Sequence, residues 1–272
     1  MSQAPNTAEA RTIKVDTDVG VLELPVGDTV MRPWMQRWGT WEQQESALVD
    51  GLLPAGGTFL DIGAHVGYYT VRAARRVGQR GAVIAVEPWP VAHRLLRANL
   101  AANVPPERRP NLTFLDCAAW DEDTTLGLTL DPGGNTGDTR VGSEGGWPVR
   151  GRRLAGVLPE TTKALSVVKV DAQGTDHRAL AGLAEVLLRD RPQVLCEFWP
   201  YGIRAAGGDP VEVLKLYRSW GFVPKLVRES YAHPTPLPGI AFDPGDEKIV
   251  VAAEQARGGF LTLWLPGGEL DR

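Results

Sequence analysis

The chain has 272 residues, of which 43% are hydrophobic and 23% charged, and its formal net charge is −4. These values are ordinary for a soluble globular protein, and the length suffices for one large α/β domain with a hydrophobic core. The slight acidic excess gives no electrostatic basis for binding nucleic acid or an anionic membrane. No apolar segment approaches membrane-spanning length and the polar start does not resemble a signal peptide, so we expect a cytoplasmic protein.

The hydrophobic pattern along the chain first gives short strands and then a regular alternation of strands and helices. Residues 13–40 are predicted to hold one or two short strands and a tryptophan-containing connector, and 41–53 a helix. The following predicted strands are 58–61, 82–86, 112–116, 165–170 and 193–197, and the predicted helices are 67–77, 90–102, 176–188 and 210–220. This order predicts an α/β fold with a doubly wound, mostly parallel sheet.

The two ends of the chain fall outside this alternation. We expect residues 1–40 to form an N-terminal tail with short strands packed on the core, and residues 41–272 to form one domain. Near the C-terminus, strand-like segments occur at 222–227, 248–253 and 260–265, and the Gly-Gly pair at 258–259 predicts an antiparallel hairpin of the last two. The only two cysteines, Cys117 and Cys196, lie by predicted strands and are interpreted as small buried side chains.

The stretch from residue 58 to residue 70 has the pattern of a strand, a tight turn and a helix start. Gly63 permits positive φ or close approach to a ligand, and Gly67 permits close approach of the helix. Unpaired amides at the helix start favour an anionic or carboxylate-bearing group. Glu87 ends the next predicted strand, 20 residues after Gly67, where an acid can accept hydrogen bonds from both ribose hydroxyls. The pair predicts a site for an adenosine-containing cofactor.

The residue at position 61 discriminates between two such cofactors. A nicotinamide dinucleotide motif has glycine there, whereas this chain has Asp61. A carboxylate would repel a pyrophosphate, but it suits S-adenosylmethionine, which lacks phosphate and carries a sulfonium and an ammonium group. The alternative interpretation is that Asp61 caps the following turn or helix.

A glycine-rich segment from residue 131 to residue 153 interrupts the alternation. It contains seven glycines and lies between the third and fourth strands of the predicted sheet. Loops of this length are functional or mobile, and ligands of such folds bind at the carboxyl edge of the sheet. We therefore expect a substrate loop or lid, with a disordered surface insertion as the alternative.

Six short patches together resemble the FkbM family of class I S-adenosylmethionine-dependent methyltransferases. They are Trp41-Glu42, the turn after Asp61, Glu87-Pro88, Asn99-Leu100, Cys117-Ala118-Ala119, and residues 168–176 (Val-Lys-Val-Asp-Ala-Gln-Gly-Thr-Asp). The resemblance covers about residues 38–200. It implies a seven-stranded Rossmann-like sheet and transfer of a methyl group, most often to a hydroxyl of a sugar or other natural product.

The resemblance also implies roles for individual residues. Asp61, Gly63 and Gly67 would line the methionine end of the cofactor, and Glu87 would hold its ribose. Asp116, Cys117 and Ala118 would lie beside the adenine, and Asp171 would face the methyl group. The remaining residues predicted to bind the cofactor come from the same patches: Trp41, Glu42, Ala64, Tyr69 and Pro88.

The chain departs from the family pattern near the expected reaction centre. His65 stands where the family usually has asparagine, and Gln173 and Asp176 stand where it usually has glutamates. A Leu-Asp pair expected before the fourth strand is Leu-Ala here, at 154–155. If the missing acids serve the acceptor, the acceptor or its deprotonation differs from the family norm.

The predicted catalytic residues are Asp171, Glu197 and His65. Transfer to an alcohol benefits from a base within hydrogen-bonding distance, and Asp171 is the preferred candidate because it ends the fourth strand. For Asp171 and Glu197 the alternative is a structural carboxylate. His177 and His233, the latter in a proline-rich segment, are weaker candidates. Asp171, Asp176 and Glu197 could also bind magnesium, but Gln173 disfavours this, and we predict no metal.

Two other functions stay open at this point: an NAD-dependent oxidoreductase on a similar sheet, and a catalytically silent adenosyl-binding module. As partner we expect a small-molecule acceptor and neither nucleic acid nor a membrane. The sequence leaves the oligomeric state open, with a homodimer among the forms it allows.

Overall fold

The computed structural model of the chain describes residues 11–142, 145–159, 162–227, 241–256 and 258–267. The helices are α1 Met31–Trp38, α2 Gln43–Leu52, α3 Tyr68–Val77, α4 Pro90–Asn103, α5 Asp176–Ala181, α6 Ala184–Asp190, α7 Pro200–Ala205, α8 Pro210–Ser219 and α9 Asp246–Gln255. The strands are β1 Thr12–Thr17, β2 Gly20–Pro25, β3 Thr58–Ile62, β4 Ala82–Val86, β5 Asn111–Leu115, β6 Ala118–Ala119, β7 Thr124–Thr129, β8 Arg140–Gly142, β9 Trp147–Arg152, β10 Val167–Val170, β11 Gln193–Phe198, β12 Lys225–Val227, β13 Ala241–Phe242 and β14 Leu261–Leu265. Across the described segments, no helix has the length and apolar character needed to span a membrane.

Five neighbouring strands of the main sheet run parallel, in the order β5-β4-β3-β10-β11. Side chains alternate between its two faces. Phe59 of β3 joins a hydrophobic cluster with α3 and α4, whereas Leu60 joins one with α5, α6, α8 and α9. This arrangement confirms the doubly wound α/β fold. The strand order reverses between β3 and β10, and ligands of such sheets bind outside the carboxyl ends at that point.

The predicted C-terminal hairpin is wrong, because its first strand is a helix. Residues 246–255 form α9, which buries Ile249, Val250 and Ala253 on one side. A short apolar run fits either a strand or a buried helix, and packing on the sheet selects the helix here. β14 instead lies between β11 and β12 and runs antiparallel to both. The main sheet is therefore mixed. In the described residues it has seven strands of three or more residues, and the two-residue β13 adds to its edge.

The predicted helix 176–188 is divided into α5 and α6 by Gly182. A Cβ atom on Gly182 would lie 1.8 Å from the carbonyl oxygen of Trp120. Only glycine permits this approach of the backbones. The interruption is a tertiary effect, since the leucine spacing alone predicts a continuous helix.

The N-terminal strands form an antiparallel hairpin that is held by two asparagines of α4. The carboxamide of Asn99 accepts from the amide of Glu23 at 2.7 Å and donates to its carbonyl at 3.0 Å. Asn103 makes the same pair of bonds with Val21, at 2.9 and 2.8 Å. The side chains of one turn of α4 thus bond the backbone of β2 as a neighbouring strand would. The predicted connector after the hairpin contains α1.

The glycine-rich segment contributes two strands to a second sheet. This sheet has the order β6-β9-β7-β8, and β8 and β9 come from residues 131–153. The described part of the segment is thus ordered by pairing with β7, and disorder is the wrong interpretation for those strands.

Candidate functional site

A cavity opens at the carboxyl ends of β3, β4 and β10, where the strand order reverses. All but two of the predicted site residues line it: Trp41, Glu42, Asp61, Gly63, Ala64, His65, Tyr69, Glu87, Pro88, Cys117, Ala118, Asp171 and Glu197. The wall combines the turn after β3, the residues that follow β4 and β5, and the end of β10. Segments far apart in the sequence therefore meet at one place, as the parallel sheet requires.

Gly67 and Asp116 are the two predicted residues outside the described cavity wall. Gly67 has φ of 92°, and a Cβ atom there would lie 2.6 Å from the Leu96 side chain. Its absent side chain therefore serves the packing of α3 on α4. Asp116 points to solvent, with 70% of its side chain exposed, and pairs with Arg150 at 2.7 Å. Neither residue lines the described cavity, and their predicted contacts with the cofactor stay predictions.

Several backbone amides of the turn after β3 donate hydrogen bonds within the protein. The amides of Gly63 and Ala64 donate to the carbonyl of Val86 at 3.0 and 3.1 Å. The amide of His65 donates to the Glu87 carboxylate at 2.8 Å. These three amides are therefore not free to bind an anion, and the expectation for the amides at the start of α3 stays a prediction. The three bonds fix the turn to the end of β4 instead.

The Glu87 carboxylate joins the turn after β3 to the residues after β4 by accepting hydrogen bonds from both. Its carboxylate is 5% exposed and accepts backbone amides of His65 and Trp89, both at 2.8 Å. Burial raises the pKa of Glu87 to about 7, and the two amide bonds oppose that shift. A carboxylate oxygen can accept more than one hydrogen bond. The residue can therefore hold the turn and still present acceptors to a ligand.

Asp61 combines a structural bond with a position in the wall. It is 1% exposed and accepts the hydroxyl of Thr70, in the first turn of α3, at 2.5 Å. Burial raises the pKa of Asp61 to about 6, against the bond from Thr70. Asp61 thus binds a side chain in the first turn of α3 and also lines the cavity, whereas the N-cap of α3 is Gly67.

Lys169 is a wall residue that the sequence analysis did not single out. Its ammonium group lies 3.3 Å from Asp171, 3.7 Å from Glu42 and 4.6 Å from the centre of the Tyr69 ring. Burial favours the neutral amine, but the carboxylates of Glu42 and Asp171 outweigh it and raise the pKa of Lys169 above its ordinary value. The available signal was a lysine inside an otherwise apolar, buried strand.

Asp171 is held in place on both carboxylate oxygens. One lies near Lys169, and the other accepts the Gln173 carboxamide at 2.7 Å. The backbone carbonyl of Asp171 also touches the first turn, since a Cβ atom on Gly63 would lie 1.9 Å from it. Glycine at 63 is therefore required by the contact between the turn and the end of β10.

Glu197 and His65 have buried side-chain atoms in the cavity wall that lack hydrogen-bond partners. One carboxyl oxygen of Glu197 is buried without a hydrogen-bond partner. Burial, then the charge of Asp171, raises the pKa of Glu197 well above its ordinary value. Both ring nitrogens of His65 are likewise unpartnered, and burial lowers the pKa of His65 to about 4. The imidazole of His65 is therefore neutral near pH 7.

The carboxylate of Asp176 is occupied by backbone amides. It accepts from Ala172 and from Glu197, both at 3.2 Å. Within the described ranges, no cluster of three or more His, Cys, Asp or Glu side chains is arranged to hold a metal ion. Of the weaker histidine candidates, His177 does not line the described cavity and His233 lies outside the described residues. Cys117 and Cys196 are buried free thiols, as interpreted from the sequence.

Residues 61–224 match the model of the methyltransferase FkbM domain, which is more than half of the chain. The chain belongs to this family. The match confirms the resemblance drawn from the six sequence patches. It also confirms the cofactor prediction, because S-adenosylmethionine is the methyl donor of the family. A comparison with the sequences of curated proteins finds no match.

Several solved methyltransferase structures are similar to this chain. A methyltransferase FkbM from Methylobacillus flagellatus is 14% identical with a TM-score of 0.45, and the likeness covers 79% of this chain but 45% of that protein. An S-adenosylmethionine-dependent O-methyltransferase from Thermotoga maritima is 16% identical, with a TM-score of 0.49 and coverage of 97% and 80%. Aeropyrum pernix fibrillarin with bound S-adenosylmethionine is 14% identical, with a TM-score of 0.44 and coverage of 81% and 73%. All three TM-scores are below 0.5, so the family membership rests on the sequence match.

The raised pKa of Glu87 predicts a pH dependence of stability. The folded protein binds this proton more tightly than the unfolded chain, so stability falls as the pH rises from about 4.5 to about 7. One pKa unit corresponds to about 1.4 kcal/mol, so the Glu87 contribution is on the order of 3–4 kcal/mol. Glu87→Gln cannot ionise and should flatten the decline, measured by urea unfolding between pH 5 and pH 8.

The matched control for this measurement is Glu107→Gln, at an exposed glutamate. It should retain the slope of the unchanged protein. The slope, and not the absolute stability, is the readout, because glutamine also places a donor against a backbone amide. An equally steep decline in Glu87→Gln would contradict the assignment of a buried, costly charge at Glu87.

Proposed function

We propose that this chain transfers the methyl group of S-adenosylmethionine to a hydroxyl group of a small molecule, such as a sugar or other natural product. The observation that carries the proposal is the charge of the described cavity wall. Five carboxyl groups and a single ammonium line it: Glu42, Asp61, Glu87, Asp171, Glu197 and Lys169. A pyrophosphate would meet repulsion there, whereas a phosphate-free ligand with sulfonium and ammonium charges is attracted.

Different residues of the cavity wall bind different parts of the cofactor. Glu87, at the end of β4, offers acceptors to the ribose hydroxyls. Asp61, at the end of β3, attracts the positive charges of the methionine end. Cys117 and Ala118 give an apolar surface to the adenine. Each of these groups lines the cavity, which supports the assignment.

The residues at the end of β10 accept the proton of the acceptor hydroxyl and position the group that takes it. The bound cofactor supplies a methyl group that is already activated, so alignment of the acceptor provides much of the rate enhancement. As the acceptor oxygen bonds to the methyl carbon and the carbon–sulfur bond breaks, the hydroxyl proton passes to Asp171. Gln173 and Lys169 hold that carboxylate in a fixed orientation. Base assistance of this kind contributes roughly 10²–10⁴ in rate.

A groove beside the cavity supports a small acceptor with a ring. It shares Gln173 with the cavity and is walled by Trp199 and Trp120. The guanidinium of Arg140 lies 4.6 Å from the ring centre of Trp199, and that of Arg178 lies 4.9 Å from that of Trp120. Each arginine is also paired with an aspartate. Stacked aromatic and neutralised polar groups suit an uncharged, hydroxylated ring.

The glycine-rich segment 131–153 is proposed to act as the acceptor loop. Its described part reaches the cavity through Asn135, Thr136 and Thr139. The Thr136 amide donates to the buried carboxylate of Asp28 at 3.1 Å, and the Thr136 hydroxyl donates to the same oxygen. The segment is thereby joined to the residues before α1, so both cover the cavity together.

Titration calorimetry tests the proposed cofactor. The ligand-free chain should bind S-adenosylmethionine and S-adenosylhomocysteine, and Glu87→Ala should weaken both by about 1–3 kcal/mol, the scale of a lost charged hydrogen bond. NAD should bind more weakly than S-adenosylmethionine, because its phosphates face the carboxylates. Tighter binding of NAD would establish the oxidoreductase alternative and end the proposal.

Asp171→Asn tests the proposed base. S-adenosylhomocysteine release with an acceptor found in a screen of small hydroxylated compounds should fall by about 10²–10⁴. Affinity for S-adenosylmethionine should change far less, because the substitution removes a group used mainly in the transition state. Asp16→Asn is the control, since Asp16 is exposed and lies outside the described cavity wall. Equal turnover of Asp171→Asn and the unchanged protein would retire Asp171 as the base.

A further inference from the structure

The cavity wall contains one fixed cation among the described residues. Lys169 is the only lysine or arginine that lines the described part of it, and the wall histidine, His65, is neutral. The Lys169 side chain is 8% exposed, so bulk solvent screens its charge little. An anionic group that enters the cavity therefore has one strong electrostatic partner in this part of the wall.

The ammonium of Lys169 keeps hydrogen-bonding capacity. It has three N–H donors, of which one reaches Asp171 at 3.3 Å. Glu42, at 3.7 Å, is close enough for charge attraction but too far for a normal hydrogen bond. The Tyr69 ring lies on another side of the ammonium, at 4.6 Å. A further oxygen can therefore share the ammonium without breaking an existing bond.

Three backbone amides of the adjoining turn are not available to a carboxylate. The amides of Gly63, Ala64 and His65 are already bonded to Val86 and Glu87. Binding an anion through them would break bonds that fix the turn. Lys169 also lies directly opposite Asp61 in the pairing of β10 with β3. A cation and an acid thus stand on neighbouring strands, which matches the two opposite charges of an amino acid group.

We propose that Lys169 binds the α-carboxylate of S-adenosylmethionine while Asp61 attracts its α-ammonium group. This inference rests on the proposed function and adds a selectivity to it. The cavity would distinguish adenosyl compounds that carry a complete amino acid from those that have lost the carboxylate.

Titration calorimetry with two ligands tests the inference without any acceptor. Decarboxylated S-adenosylmethionine differs from the cofactor only by the missing carboxylate. The unchanged protein should prefer S-adenosylmethionine by roughly 10–100-fold, the range of a charge-assisted hydrogen bond. Lys169→Met should lose most of that preference: affinity for S-adenosylmethionine falls, and affinity for the decarboxylated compound stays the same or rises in the more acidic cavity.

Lys163→Met is the matched control, because Lys163 is an exposed lysine outside the described cavity wall. It should leave both affinities unchanged. Lys169→Arg keeps the charge and should retain part of the preference. If Lys169→Met does not fold, Lys169→Gln provides the same comparison, since its carboxamide can still donate to Asp171.

Two results would overturn the inference. One is an equal loss of affinity for both ligands in Lys169→Met, which would give Lys169 a purely structural role. The other is a preference for S-adenosylmethionine that persists without the lysine. Failure of the unchanged protein to bind either ligand is a different result, because it removes the proposed function and this inference with it.

Discussion

Burying several carboxyl groups together costs free energy, and the described cavity of this chain buries several of them. Ionised carboxylates lose hydration and repel one another, so burial raises the pKa of Asp61 to about 6 and those of Glu42 and Glu87 to about 7. The fold offsets part of the cost with hydrogen bonds from Thr70 and from backbone amides. What it leaves is an acidic cavity for which a cationic ligand is the natural complement.

The same carboxylates position the site as well as charge it. Glu87 binds the turn after β3 to the residues after β4, and Asp61 binds the end of β3 to the first turn of α3. Lys169 joins Glu42, which precedes α2, to Asp171 at the end of β10. Removing any of these groups therefore changes both shape and charge, which is why isosteric substitutions and matched ligands separate the two contributions better than truncation to alanine.

Much of this site could be predicted because a parallel sheet gathers the ends of its strands. Asp61 and Glu87 were found as acids at the end of an apolar run, and most of the family patches line the cavity. Lys169 was missed because its partners are Glu42, just before α2, and Asp171, just after β10, and strand periodicity does not show which neighbours a buried lysine meets. The helix at 246–255 depends on packing against the sheet. The break at Gly182 depends on a contact with Trp120. The local hydrophobic pattern of the sequence shows neither contact.

The most direct measurement of the central claim is the number of protons exchanged when the cofactor binds, obtained by calorimetry in buffers of different ionisation enthalpy near pH 6.5. If buried carboxyl groups complement a cation, binding of S-adenosylmethionine lowers their pKa values and releases protons. S-adenosylhomocysteine, which lacks the sulfonium charge, should release fewer. Proton uptake with S-adenosylmethionine, or equal release with both ligands, would contradict the account.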